Sequence, residues 1–217
     1  MRLALMVEGQ TGLTWDKWKA LVARVDDWGF SGLYRSDHFT MTRAPNADSL
    51  EMIVSLAYAA DHTRRVHFGP LVAPLSFRDP AMLARQAAQL DALSEGRMIL
   101  GVGAGWMERE HEMFGYPLLE KKARLERFAE GLQVVWMLLK SDAPVSFEGR
   151  WYNLREAEIL PRPFKTKILV GGNSVNQTLR LAARFADVWN GVQLSPEEFR
   201  ARAKILDGYL YDAGREA

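Results

Sequence analysis

"RMILGVGAGW", residues Arg97–Trp106, decides between the two architectures open to this chain. An apolar run of strand length passes directly into glycines. In a dinucleotide-binding open sheet, the third glycine of G-x-G-x-x-G lets the following helix pack closely on the strand. Here Gly101, Gly103 and Gly105 alternate, and Trp106 stands where that third glycine is required. The first strand ends in "VEGQTG" (Val7–Gly12), which lacks the spacing as well. A parallel barrel instead draws polar or glycine endings from several strands to one mouth. The pattern around Arg97–Trp106 therefore favours a barrel.

The rest of the chain repeats the same unit. "LALMV" (Leu3–Val7) reads as a buried strand and "WDKWKALVARVDDWG" (Trp15–Gly29) as a helix with Trp18, Leu21, Val22 and Val25 on one face. Strands follow at "SGLYRSD" (31–37), "VHFGPLVAP" (66–74), "RMILGVGAG" (97–105), "KILVGGN" (167–173) and "DVWNGV" (187–192). Helices lie between them, one opening with Asp79 as cap and Pro80 at its first position, the last with Ser195 and Pro196. The strands are continuous apolar runs, as expected where both faces of a parallel sheet are covered. Only residues 141–166 break the rhythm. There "PVSFEGRWYNL" suggests a small hairpin turning at Glu148–Gly149, an insertion near one mouth of the sheet and a plausible cover for a pocket.

Six strand–helix units are counted, whereas a closed barrel of this class needs eight strands and about 250 residues. Six parallel strands leave two open edges, which folded proteins avoid. The expected fold is α/β: a single domain over residues 1–217, a (β/α)8 TIM barrel lacking its last two β/α units, with the remainder in a longer protein.

Composition excludes several functions. With 28 basic and 27 acidic residues the net charge is +1, and no block of like charge offers a face for nucleic acid or an anionic membrane. No cysteine is present, which removes disulfides, thiolate zinc sites and cysteine nucleophiles. No apolar run approaches the roughly 20 residues of a bilayer span, and the expectation is a soluble, cytoplasmic protein. H-E-x-x-H, G-x-x-x-x-G-K-[ST] and G-x-S-x-G are all missing. Glu108-x-x-His111 has half the spacing of a di-iron site but no second copy, so it reads as a solvated helix face. Arg155, Arg162 and Lys165 stand near aromatics without a phosphate-binding geometry.

The strand ends hold Glu8–Gly9, Asp37–His38, Leu71–Val72, Gly103–Ala104–Gly105 and Gly171–Gly172–Asn173. This set offers one histidine, acidic groups and stretches of bare backbone suited to a flat ligand. Gly171 to Ser174 leads into a helix near Val175, which allows either a capped strand-to-helix turn or N–H groups aimed at a phosphate. His38 is either a turn residue beside a capping Asp37 or a general base titrating near neutrality. His62, His67 and His111 fit structural positions better.

Taken together, "GLYRSDHF", "GPLVAPLSFRDPAMLARQAAQLDALSEGRMILGVGAGW", "FEGRWYNL" and "LPRPF…ILVGGN…TLRLAARFADVWN" resemble the luciferase-like monooxygenase family, in order and over nearly the whole chain. That resemblance implies a flavin- or deazaflavin (F420)-dependent oxidoreductase on a (β/α)8 barrel. It places Ser36, Asp37 and His38 at the mouth, with Asp37 and His38 facing the redox ring of the cofactor and His38 as the base that takes a proton from a substrate alcohol. It implies a non-proline cis peptide at Leu71–Val72 behind the ring, Gly103, Ala104 and Gly105 along the cofactor, and Gly171, Gly172, Asn173 and Ser174 at its phosphate. Sugar-phosphate dehydrogenases of the family carry an acidic residue where this chain has Ala104, which leaves His38 without that companion. The expected activity is F420-dependent hydride transfer with a small organic substrate. Oxygenation with reduced flavin mononucleotide (FMN) and a partner reductase is the alternative, and a non-catalytic flavin-binding protein the second. The resemblance also implies a homodimer.

Overall fold

The computed structural model describes residues 2–164 and 166–215; Lys165 lies outside them. The stretch that decided the architecture forms β5 (Ile99–Gly103), and every one of its residues is buried. Chain order places β1 (Ala4–Val7), α1 (Trp15–Val25), β2 (Gly32–Arg35), α2 (Met52–His62), β3 (His67–Pro70), β4 (Ala73–Pro74) and α3 (Pro80–Leu93) before it. After it come α4 (Glu108–Phe114), α5 (Lys121–Lys140), β6 (Val145–Glu148), β7 (Asn153–Ala157) and β8 (Lys167–Gly171). A π-helical turn (Val175–Leu179), α6 (Arg180–Phe185), β9 (Val188–Asn190) and α7 (Pro196–Asp212) complete it. No described helix is long and apolar enough to cross a membrane.

The parallel strands run β1-β2-β3 and β4-β5-β8-β9. A bridge between Phe68 and Met98 joins the two groups, with the Phe68 N–H donating to the Arg97 carbonyl at 3.2 Å. The result is a curved arc of six β/α units, the arrangement of a (β/α)8 barrel without units seven and eight. Burial follows position in the arc. Leu100 and Ile168, paired in register on β5 and β8, are fully buried, whereas Ala4, Met6 and Val188 on the outermost strands are exposed. Strands with neighbours on both sides read as uninterrupted apolar runs for that reason.

The third strand is broken between Pro70 and Ala73, where the Leu71–Val72 peptide is cis. The Val72 side chain then lies over neighbouring strands at positions that have no side chain of their own. A Cβ on Gly103 would fall 2.6 Å from Val72 Cγ2, and one on Gly171 would fall 2.9 Å from Val72 Cγ1. Those glycines, read from sequence as bare backbone for a ligand, first of all make room for Val72.

The end of β2 is held by charge. Arg78 donates from Nε to Asp37 Oδ2 at 2.5 Å and from Nη2 to Asp37 Oδ1 at 2.7 Å, and reaches Glu51 Oε1 at 2.8 Å. Burial pushes the Asp37 carboxyl above the usual carboxylate range. Burial alone would lower Arg78, but the hydrogen bonds and charges of Asp37 and Glu51 outweigh it and raise the guanidinium above its ordinary value. Beneath this pair Arg35 is fully buried and donates to Ser55 Oγ at 2.6 Å and to the Ser36 carbonyl at 3.0 Å.

The hairpin β6–β7 is present and antiparallel, with its turn tied to α5. Glu130 accepts the N–H groups of Arg150, Trp151 and Tyr152 at 3.1, 2.7 and 2.7 Å. α1 ends at Val25 rather than at Gly29.

Removing Arg78 strands a buried carboxylate, so Arg78→Ala is expected to lower the unfolding free energy by about 3–5 kcal/mol in urea denaturation. Arg78→Lys keeps the charge, loses the two-point fork, and should recover only part of it. Gly103→Ala is expected to destabilise by about 1–3 kcal/mol through overlap with Val72. Adding Val72→Ala should return some of that loss, which a double-mutant cycle would register as coupling.

Candidate active site

A cleft of about 600 Å³ opens at the C-terminal ends of the parallel strands, the end at which such barrels place their chemistry. β1 contributes Glu8, and the segment after β2 contributes Ser36 and His38. Leu71, Val72 and Pro74 form an apolar wall, continued by Gly103, Ala104, Gly105 and Trp106 after β5. Gly171 ends β8 and Gly172 follows it, Asn190 ends β9 with Val192 and Gln193 just beyond, and Glu110 comes from α4.

A chain of hydrogen bonds orients the Glu8 end of this rim. The Gly9 N–H donates to Ser36 Oγ at 2.9 Å, Ser36 Oγ donates to Gln10 Oε1 at 2.7 Å, and Gln10 Nε2 donates to Glu8 Oε2 at 2.9 Å. At the loop after β5, Gly105 has φ +79° and turns the chain toward Trp106. A Cβ there would collide with Ser76 Oγ, so both conformation and space require glycine.

His38 sits at the centre. Its Nδ1 lies 3.0 Å from Glu110 Oε1, and the other carboxylate oxygen of Glu110 accepts the Phe39 N–H at 3.1 Å. Glu110 is 1% exposed and the His38 side chain 17%. The exposed Trp106 indole and the imidazole meet edge to face, at 5.5 Å between centroids and 78° between planes. His38 Nε2 makes no hydrogen bond to the described residues, so one ring nitrogen is committed to a carboxylate and the other is left to the cleft.

α4 is not the solvated face expected from Glu108-x-x-His111. Glu110 and His111 are both buried, while Glu108 is exposed. His111 Nδ1 lies 2.7 Å from the Met107 carbonyl and its Nε2 lies 2.8 Å from Ser76 Oγ. Arg109 donates to the Met41 carbonyl at 2.8 Å and to Asn46 Oδ1 at 2.6 Å. The short helix is thus clamped to two loops. Little in the sequence marks this: Met107, Glu110 and His111 are buried, but Met113 and Phe114 on the same short segment are exposed, so no continuous apolar stripe marks the inward side.

Of the expected site residues, the structure gathers His38, Leu71, Val72, Gly103, Ala104, Gly105, Gly171 and Gly172 at the cleft. Asp37 is not among its lining residues; its carboxylate is occupied by Arg78. Asn173 is turned to Val192, donating to its carbonyl at 2.7 Å and accepting its N–H at 2.9 Å. Ser174 precedes the π-helical turn and makes no side-chain cap. Residues 141–166, expected as a cover, contribute nothing to the lining described. The acidic companion that Ala104 could not provide is Glu110. Among the described residues no group of three or more metal-ligating side chains converges.

Comparison with known proteins bears on the family and the fold. The chain is 34% identical over 141 residues to an F420-dependent glucose-6-phosphate dehydrogenase of Amycolatopsis mediterranei (strain U-32), covering 64% of this chain and 42% of that one. It is 34% identical over 139 residues to the 4-hydroxyprotoasukamycin monooxygenase of Streptomyces nodosus subsp. asukaensis, covering 64% and 36%. The chain therefore matches only about two fifths of the length of these curated relatives. An F420-dependent secondary alcohol dehydrogenase, solved with an F420-acetone adduct, superposes with TM-score 0.89 at 22% identity, covering 99% of this chain and 65% of that one. A monooxygenase from Streptomyces bottropensis superposes with TM-score 0.83 at 23% identity, covering 100% and 68%. The family description "luciferase-like monooxygenase" matches residues 3–217, and the chain belongs to that family.

Proposed function

We propose that this protein is an F420-dependent oxidoreductase that exchanges a hydride with a small alcohol or carbonyl substrate, with His38 handling the accompanying proton. The observation that carries the reading is the unengaged Nε2 of His38 on the cleft wall, opposite the nitrogen committed to Glu110. An alcohol losing hydride must also lose its hydroxyl proton, and a proton acceptor within hydrogen-bond reach is what that step requires.

The cleft suits a flat deazaflavin or flavin. Its volume of about 600 Å³ is ample for the ring. Leu71, Val72 and the backbone of Gly103–Gly105 would lie against the ring, and the backbone at Gly171–Gly172 would lie by its phosphate. When bound, the cofactor supplies two-electron hydride chemistry, and the protein supplies orientation and exclusion of water. His38 Nε2 accepts the hydroxyl proton in the oxidative direction and returns it in the reductive one.

A second reading, oxygenation with reduced FMN and a partner reductase, draws on the equal identity to the monooxygenase relative. Fluorescence titration of the protein with oxidised F420 and with FMN distinguishes the two. Tight binding of F420, with alcohol-dependent F420 reduction, is the expected result. His38→Ala should then slow turnover by about 10²- to 10⁴-fold while F420 affinity holds. Preference for FMN with substrate-dependent oxygen consumption would overturn the reading.

A further inference from the structure

We propose that Glu110 is a positioning residue that selects the tautomer of His38, keeping the proton on Nδ1 and the Nε2 lone pair toward the cleft. The tautomer claim stands on the hydrogen bonds alone; its consequence for turnover rests on the proton-transfer role proposed above.

The argument is one of donors and acceptors. Glu110 presents two oxygens to two partners, the Phe39 N–H at 3.1 Å and His38 Nδ1 at 3.0 Å. A backbone N–H can only donate, so Oε2 is always an acceptor. An ionised carboxylate has only acceptors to offer the second partner as well, and Nδ1 must then carry the hydrogen. A neutral imidazole holding its proton at Nδ1 has its lone pair at Nε2, the nitrogen that faces the cleft. Three further contacts keep the carboxylate in place: Arg109 to Met41 and Asn46, and His111 to Ser76, bind α4 to the loops on either side. The Ser49 hydroxyl donates to the His38 carbonyl at 2.7 Å, holding the histidine backbone from the far side.

Substituting Glu110 with glutamine inverts this logic without changing shape. The Phe39 N–H still demands an acceptor and takes the single amide oxygen. The amide NH2 then faces Nδ1, which must accept, so the ring proton moves to Nε2. A carboxylate-to-amide change behind the histidine of a serine-protease triad lowers kcat by about 10⁴-fold through the wrong tautomer.

The test is nitrogen-15 spectroscopy of the imidazole at a pH where it is neutral, with His38 assigned by the signal lost in His38→Gln. The wild-type protein should show the proton on Nδ1, and Glu110→Gln should show it on Nε2. Turnover with F420 and alcohol should fall by at least tenfold in Glu110→Gln at unchanged F420 affinity. A wild-type ring protonated at Nε2 would overturn the inference whether or not the variant folds. The same tautomer in both proteins would overturn it too. If His38→Ala leaves turnover intact, the catalytic reading fails while the spectra still decide the role of Glu110.

Discussion

The buried fork between Arg78 and Asp37 is the constraint on which the site depends. Asp37 is the residue immediately before His38, and Arg78 immediately precedes the α3 cap Asp79. One guanidinium therefore ties the end of β2 to the loop that leads into α3, and through Glu51 to the cap of α2. Two parallel N–H···O bonds leave little angular freedom. Replacing such a pair with apolar side chains often costs nothing in stability. What apolar packing does not supply is direction, and direction is what the backbone at His38 needs.

Direction alone does not aim an imidazole, and α4 supplies the rest. Adjacent residues on a helix point about 100° apart, so Glu110 and His111 reach different loops from one short element. Glu110 meets the segment after β2, and His111 meets the β4–α3 loop through Ser76. Ser76 in turn occupies the space left by the missing side chain of Gly105. The loop that presents Trp106 and the helix that presents Glu110 are thereby fitted to the same neighbour.

The floor of the cleft follows a different rule, that of volume. Val72 takes the space above Gly103 and Gly171, and with Leu71 and Pro74 gives the mouth an apolar wall beside the bare backbone of those glycines. The polar residues His38, Glu110, Asn190 and Gln193 line the same cleft.

Much of this was legible along the chain, and the limit is physical. Apolar runs of strand length ending in glycine or polar residues determine a parallel β/α barrel, because each run must bury both faces and release the chain at one mouth. His38, Leu71, Val72 and the glycines at 103, 105, 171 and 172 were identifiable because each lies at or just past the end of a strand, where local order carries position. Asp37 shares that local place, yet its carboxylate went to Arg78, forty-one residues away, a choice made by burial and charge rather than by neighbours in sequence. Glu110 is seventy-two residues from His38. Its role looked like that of any helix-surface carboxylate until the fold closed α4 over the loop after β2. Sequence by itself determined the architecture and which strand ends meet. Only the tertiary structure decided which buried acid serves an arginine and which serves the histidine, because hydrogen-bond partners are selected by distance in space.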